Sequence, residues 1–171
     1  MKKIVMFVEE IYEDLELWYP KIRLEEAGFQ VVIAGPNAGQ IYKGKHGYPC
    51  KADCTYKDAL AIQCAGVVIP GGFAPDRWRR VPEVLKIVRD AFDSGKMVAF
   101  ICHGGWVPIS AKILKGKKVT GTVAIKDDLE NAGAIWRDEA IVVDGNLISS
   151  RTPIDLPFFA KGMLKFLSGS G

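Results

Sequence analysis

Long apolar runs are absent from this 171-residue sequence. No stretch approaches the ~20 apolar residues that a membrane-spanning helix needs. Met1-Lys2-Lys3 leads directly into a short strand pattern, without the small-residue cleavage site of a secretory signal. These two absences predict a cytoplasmic protein that does not contact a membrane.

Strong charge and nucleotide-binding motifs are absent as well. The net charge is only +3, and the charged residues are spread along the chain, so nucleic acid is not an expected partner. Neither the Gly-x-Gly-x-x-Gly pattern nor a Walker-type phosphate loop occurs. We therefore expect no nucleotide and no other cofactor.

Cysteine and histidine are scarce, with four and two residues respectively. Without a secretory signal, four cysteines in a chain of this length predict free thiols. Cys50 and Cys54 lie in an extended-looking segment, where four residues span ~13 Å, which is too far for a disulfide or for one tetrahedral ion. No second Cys/His pair completes a zinc site. We assign Cys50, Cys54 and Cys64 structural roles and expect no metal.

Strand and helix patterns alternate along most of the chain. Apolar runs typical of strands lie at residues 3–8, 29–34, 66–69 and 97–101. Helical patterns lie at residues 13–27, 58–63, 82–94, 106–114, 125–132 and 155–167. This alternation predicts an α/β fold with a mostly parallel sheet and helices on both faces.

Two further features complete the predicted architecture. The turn-rich residues 37–47 predict a small β-excursion, and Asp144-Gly145-Asn146 predicts a late hairpin. We expect a single domain at residues 1–168, followed by a frayed tail at residues 169–171.

Cys102 stands at the end of the most apolar strand pattern. Met97 to Ile101 are five consecutive apolar residues, which is typical of a strand buried on both faces. Gly104 and Gly105 follow within a sharp strand-to-helix turn. A cysteine at a helix N-terminus is stabilised as a thiolate, although a buried, inert cysteine fits the same local spacing.

Three strand ends favour the catalytic alternative. Ligand sites of parallel sheets lie at the carboxyl ends of the strands, and unusual residues stand there at 9–16, 70–76 and 102–105. The backbone amides of Gly72 and His103 could hold a developing oxyanion. Glu13 or Glu16 could place a carboxyl beside the sulfur. That carboxyl would have to be protonated, because a carboxylate would raise the thiol pKa.

The two histidines have different predicted roles. Neighbouring side chains usually project in different directions, so adjacency alone does not make Cys102 and His103 a catalytic pair. The imidazole could instead face an acid such as Asp76, from the same chain or from a second subunit, as in a triad. His46 lies in a turn-rich stretch, and we expect it to be structural or to line a pocket.

Motifs along nearly the whole chain resemble the PfpI family of intracellular cysteine peptidases and related deglycases. That family shares the fold of the class I glutamine amidotransferases. The matching segments are Tyr12-Glu-Asp-Leu-Glu-Leu, Gly44-Lys-His-Gly-Tyr48, Pro70-Gly-Gly, Ala74-Pro-Asp76, Ile101-Cys-His-Gly104, Ile125-Lys-Asp-Asp128, Asn131-Ala-Gly133 and Val143-Asp-Gly-Asn-Leu-Ile-Ser-Ser-Arg151.

This resemblance implies a flavodoxin-like three-layer sandwich with a reactive Cys102 on an elbow. Glu13 matches the family's acid that hydrogen-bonds the thiol, and His103 matches its histidine. Asp76 stands where archaeal peptidases carry a glutamate from a neighbouring subunit. The resemblance thus implies a homo-oligomer, a dimer or a dimer-based hexamer, in which Asp76 acts across an interface.

The chain departs from the family pattern at positions that shape the pocket. Gly105-Trp106 replaces a frequent Pro-Gln, and Thr122-Val123 replaces an often aromatic stretch. The resemblance implies attack by Cys102 on a carbonyl carbon. We favour a deglycase or glyoxalase III-type activity on glyoxal, methylglyoxal or their early adducts, because Trp106 is expected to narrow the pocket. Intracellular peptidase activity is the second hypothesis, and a non-enzymatic redox sensor that uses an oxidisable Cys102 is the alternative.

Overall fold

The computed structural model describes residues 1–169. Its strands are β1 (Lys3–Phe7), β2 (Gln30–Gly35), β3 (Ile41–Lys43), β4 (Pro49–Lys51), β5 (Cys54–Thr55), β6 (Cys64–Ile69), β7 (Met97–Ile101), β8 (Lys118–Val119), β9 (Ile135–Trp136), β10 (Val142–Asp144) and β11 (Leu147–Ser150). Its α-helices are α1 (Asp14–Glu26), α2 (Tyr56–Ala59), α3 (Ala74–Trp78), α4 (Pro82–Asp93), α5 (Trp106–Ser110), α6 (Lys126–Asn131) and α7 (Leu156–Leu167). Of the predicted tail, residues 170 and 171 lie outside the described residues.

A seven-stranded sheet forms the centre of the molecule, in the order β10-β11-β7-β6-β1-β2-β5. Every neighbouring pair is parallel except β10 and β11, which form the hairpin predicted at Asp144-Gly145-Asn146. Helices α1 and α7 pack against each other and the sheet, and α4 packs on β6 and β7 beside α2 and α5. The predicted α/β fold with a mostly parallel sheet is therefore confirmed.

The core includes the whole of β7, whose five residues are all buried. Burial on both faces explains the unbroken apolar pattern, because helices cover both sides of this strand. Fully burying each large apolar side chain contributes roughly 1.5–3 kcal/mol. Since Ile69 of β6 pairs with Phe100 of β7, the loop after β6 and the turn after β7 start side by side.

The predicted β-excursion is a hairpin of β3 and β4 outside the main sheet. Asp14 at the start of α1 anchors it, because its two carboxylate oxygens accept the amides of His46 and Tyr48, each at 2.9 Å. Although burial raises the pKa of Asp14, these amides lower it below its usual value. A Cβ at Gly44 would lie 2.3 Å from the Asp14 Oδ1, so the hairpin approaches α1 only with glycine there.

Two predicted helices have wrong boundaries. The helix predicted at 106–114 ends at Ser110, and Lys112 adopts a left-handed backbone with φ +57 that stops it. The helix predicted at 58–63 instead spans Tyr56–Ala59, because Thr55 and Asp58 form a capping box that begins it earlier. Within the described residues, no helix is long and apolar enough to span a bilayer.

Candidate active site

Cys102 occupies a strained turn directly after β7. Its φ is +58, a left-handed conformation that β-carbon sterics make costly for residues other than glycine. Cys102–Gly105 form a 3-10 turn before α5 begins. A Cβ at Gly104 would lie 2.6 Å from the Ile69 carbonyl oxygen, so this glycine lets the turn pack against the end of β6. The predicted elbow is present, and strain of this kind indicates a functional position.

Glu16, and not Glu13, is the acid beside the thiol. The Glu16 side chain is fully buried, and it lies close enough to Cys102 that each group shifts the pKa of the other. Its Oε2 also accepts the Gly71 amide at 2.8 Å. The prediction that Glu13 contacts the thiol was wrong, because Glu13 is the N-cap residue that precedes α1. Its carboxylate faces the hairpin and binds Lys45 Nζ at 2.8 Å.

Burial dominates the proton affinities of this acid and thiol. It raises the pKa of Glu16 to about 8, with a further contribution from the negative charge of Glu13. Burial, followed by the charge of Glu16, raises the pKa of Cys102 to about 12. At neutral pH the Glu16 carboxyl therefore keeps its proton and repels no thiolate. In that form it can donate toward sulfur, which lowers the free energy of the thiolate.

The His103 imidazole faces the sulfur of its neighbour. Its Nδ1 lies 3.4 Å from the Cys102 Sγ. Burial, followed by the positive charge of Lys45, lowers the pKa of His103. The imidazole is thus neutral near pH 7 and can accept the thiol proton. The left-handed turn at Cys102 explains how two consecutive side chains meet, since it breaks the alternation of an extended chain.

Asp76 does not contact His103 within the chain. It lies in α3 with 57% of its side chain exposed, and its Oδ2 accepts from Arg80 Nη2 at 2.7 Å. Among residues 1–169, no carboxylate oxygen lies within hydrogen-bond distance of the His103 ring. The alternative in which Asp76 of the same chain completes a triad with His103 is therefore wrong.

The loop after β6 brings Gly71 and Gly72 against the site. A Cβ at Gly71 would lie 2.3 Å from Glu16 Oε2 and 2.9 Å from the Cys102 Cβ. Gly72 has φ +83 and forms an isolated bridge with Tyr12. The hydrogen bonds of this bridge use the amides of Glu13 and Phe73, so the bridge leaves the Gly72 amide unused. The His103 amide already donates to the Cys102 sulfur.

Lys45 is a further residue of the site, and the sequence analysis did not predict it. Its ammonium carries a positive charge that acts on Cys102 and Glu16 as well as on His103. The hydrogen bond from Lys45 to Glu13 raises the pKa of the lysine, which keeps it charged. The Gly44-Lys-His-Gly-Tyr48 motif contained the signal, but its distance from Cys102 along the sequence concealed the contact.

Three side chains near the hairpin could in principle hold a metal ion. Glu13, Asp14 and His46 each offer one ligand atom, and these atoms lie within 4.8 Å of one another. The acids are already engaged, since Lys45 binds Glu13 and two amides bind Asp14. His46 Nδ1 lies 3.2 Å from Asp14 Oδ2, and His46 lines a cavity beside α1, as expected for a pocket residue. All four cysteines are free.

Known proteins resemble this chain over nearly its full length. Deglycase PfpI of Pyrococcus furiosus is 44% identical over 165 residues, which cover 96% of this chain and 99% of the relative. YraA of Bacillus subtilis, named provisionally as a cysteine protease, is 40% identical over 166 residues, covering 97% and 98%.

Solved structures also resemble this chain over nearly its full length. A two-domain protein from Anabaena variabilis with DJ-1/ThiJ/PfpI-like and ferritin-like domains has a TM-score of 0.95 and 46% identity, covering 98% of this chain and 48% of that protein. The chain thus spans about half of that protein's length. DJ-1beta of Drosophila melanogaster has a TM-score of 0.91 and 26% identity, covering 98% and 91%. The family model described as the DJ-1/PfpI family matches residues 2–166. Together with the site geometry, this full-length match means that the chain belongs to the DJ-1/PfpI family.

Proposed function

We propose that the protein is a cysteine-dependent enzyme that acts on the carbonyl carbon of small 2-oxoaldehydes or their early adducts, as a deglycase or glyoxalase III-type enzyme. The observation that carries this proposal is the position of the Cys102 thiol between two proton carriers. The buried Glu16 carboxyl lies beside the thiol and shifts its pKa, and His103 Nδ1 lies 3.4 Å from Sγ. The relative from Pyrococcus furiosus, at 44% identity, is named a deglycase.

The first step is addition of the thiol to the aldehyde carbon. The sulfur forms a bond to carbon, the carbonyl electron pair moves to oxygen, and the thiol proton moves to the neutral His103. The unused amide of Gly72 stabilises the developing oxyanion, and the His103 amide can join it once the sulfur is bonded to carbon and no longer carries charge. The oxyanion then takes the proton from His103, which gives a neutral hemithioacetal.

The second step is an internal rearrangement that needs no external oxidant. A base removes the proton from the former aldehyde carbon, and a proton is delivered to the neighbouring carbon through an enediol. Glu16 and His103 are the two groups that exchange these protons. The former aldehyde carbon is oxidised to a thioester while its neighbour is reduced to an alcohol. Water then cleaves the thioester, which releases a 2-hydroxy acid and the thiol.

The limited exposure of the thiol favours a small substrate over a peptide. Cavities of ≈ 610 Å³ and ≈ 270 Å³ flank this end of the sheet, and one of ≈ 630 Å³ lies at the opposite end, near Lys3 and Cys64. In the part of the chain that the structure describes, Cys102 lines none of these three cavities. Cys102 is only partly exposed, so a small carbonyl compound reaches its sulfur more easily than a peptide chain. Peptidase activity is the second candidate function, and the name of YraA supports it.

The proposal includes self-association of the chain, which would bring Asp76 of a second copy next to His103. Asp76 is exposed, and apolar side chains stand on loops at the same end of the sheet. Phe73, Val123 and Ile154 are 68%, 74% and 80% exposed. Burying such side chains between copies of the chain is favourable. In a dimer or dimer-based hexamer formed through this surface, Asp76 of one copy would orient His103 of the next.

The experiment compares the wild type with Cys102→Ser and with the control Cys64→Ser. Each protein is incubated with methylglyoxal, with a methylglyoxal-treated amine and with an unstructured peptide. We expect the wild type and Cys64→Ser to produce the 2-hydroxy acid and Cys102→Ser to be inactive. Unchanged turnover in Cys102→Ser would refute the nucleophile. Peptide cleavage without hydroxy acid formation would favour the peptidase. Selective peroxide oxidation of Cys102 without any turnover would favour a redox sensor.

A further inference from the structure

The described ring contacts of His103 are with the Cys102 sulfur and with Trp106. The His103 and Trp106 rings lie 5.1 Å apart between centroids at an interplanar angle of 63°. This edge-to-face arrangement is a favoured geometry for a pair of aromatic rings. An imidazole turns about two side-chain bonds, and the Trp106 ring restricts both.

Trp106 is itself held in place on two sides. Its Nε1 donates to Asp128 Oδ2 at 2.9 Å. The Arg79 guanidinium lies over the indole ring, with its carbon 5.5 Å from the ring centroid, and Arg79 Nε donates to Ser110 Oγ at 3.0 Å. The contacts come from α6 and from the end of α3, which are separate from the turn that carries Cys102.

Gly105 permits this arrangement. A Cβ at that position would lie 2.9 Å from Ile125 Cδ1 and 3.4 Å from Leu129 Cδ2. The turn therefore lies close to the start of α6 only with glycine there, and this approach brings Trp106 within reach of Asp128. The two residues therefore act together. Gly105 allows the turn to approach α6, and Trp106 makes the hydrogen bond that this approach permits.

We propose that Trp106, fixed by Asp128 and Arg79, is a positioning residue that holds the His103 imidazole toward the Cys102 sulfur within a single chain. This inference rests on the proposed function, because it assigns a partner to the proton carrier of that reaction. The indole and its Asp128 anchor restrain the imidazole from within one chain, in addition to the orientation that Asp76 of a second copy would supply.

The test uses Trp106→Phe, which keeps an aromatic ring but removes the indole N–H, and Asp128→Ala, which removes its acceptor. Asp128→Asn retains an amide oxygen that can accept from the indole and serves as the rescue variant. Asp127→Ala is the matched control, because Asp127 is also an exposed acid in the first turn of α6. Both alanine variants therefore lose the same favourable interaction with the helix dipole.

Turnover of methylglyoxal and the imidazole state are measured separately. For Trp106→Phe and Asp128→Ala we expect kcat to fall ~10-fold with KM changed less than about twofold, since general acid–base catalysis depends on orientation. Asp128→Asn and Asp127→Ala should stay within about twofold of the wild type, because each keeps the anchored indole. Nitrogen NMR of the imidazoles reports the tautomer directly. The chain has only two histidines, so a His46→Asn background leaves His103 alone.

The wild type should show one fixed tautomer with an unprotonated Nδ1. The ring nitrogens should move toward averaged positions in Trp106→Phe and Asp128→Ala. Wild-type-like spectra and kcat in both variants would overturn the proposal, as would equal losses in Asp127→Ala and Asp128→Ala. If no protein turns over a carbonyl substrate, the proposed function fails. The NMR comparison still decides whether Trp106 positions His103.

Discussion

The buried carboxyl of Glu16 lies beside the thiol of Cys102, and each group shifts the pKa of the other. Oε2 accepts the Gly71 amide, whereas Oε1 is buried without a hydrogen-bond partner among the described residues. An unpaired oxygen inside the protein calls for an explanation, and contact with a substrate atom during proton transfer provides one.

Glu16→Gln should separate the structural role of this side chain from its role as a proton carrier. The amide oxygen can still accept from Gly71, so the fold is retained, but the side chain can no longer exchange a proton. We expect kcat for methylglyoxal to fall ~100-fold or more, as for loss of a general acid–base group. The rate of iodoacetamide alkylation at neutral pH should change only a few-fold. Glu13→Gln is the control, and an equal loss of kcat there would contradict the assignment of Glu16.

The pH dependence of stability should report the buried Glu16 directly. Its pKa rises from the usual 4.5 to about 8 in the folded protein. Between these values the folded state holds a proton that the unfolded chain has released, so the contribution is complete below pH 4.5 and is lost as pH rises toward 8. The full loss is on the order of 5 kcal/mol.

Urea denaturation of the wild type and Glu16→Gln at pH 5 and pH 8 measures this loss. We expect the free energy of unfolding of Glu16→Gln relative to the wild type to increase with pH, because glutamine does not ionise. The control Glu139→Gln, at an exposed position, should give a difference that does not depend on pH. If the difference between Glu16→Gln and the wild type is also independent of pH, Glu16 ionises normally in the folded protein.

The sequence did not determine whether Glu13 or Glu16 is the acid beside the thiol. Both residues precede or open the same helix, and a boundary error of one or two residues decides which carboxyl faces β6. Cys102 was predictable because Met97 to Ile101 form an unbroken buried strand that ends at it. The contact of His103 with Cys102 was not predictable, since it depends on the left-handed φ of +58 at Cys102. Lys45 reaches the site only through the packing of the β3–β4 hairpin on α1.

Gly71→Ala should damage the site by crowding. The new Cβ would lie 2.3 Å from Glu16 Oε2 and 2.9 Å from the Cys102 Cβ, so one of these groups must move. Overpacking of this kind costs roughly 1–3 kcal/mol, and we expect turnover of methylglyoxal to be lost with it. Gly145→Ala is the control, because its Cβ meets nothing within 4 Å and only its φ of +62 is unfavourable. Normal turnover in Gly71→Ala would show that the loop and the carboxyl move apart without consequence.

Lys45→Met should weaken the reactivity of the thiol, and it should also lower stability because it leaves the buried Glu13 carboxylate without its ion partner. The Lys45 ammonium stabilises negative charge on Cys102, and methionine keeps a similar apolar stem without the charge. Because 42% of the lysine side chain is exposed, solvent screens the effect, and we expect alkylation at pH 7 to slow only about 2–5-fold. Added salt should reduce the wild-type rate toward that of the variant. Lys43→Met, on the same hairpin, should behave as the wild type. A salt-independent rate, or equal effects of the two substitutions, would show that Lys45 does not act on the thiol through its charge.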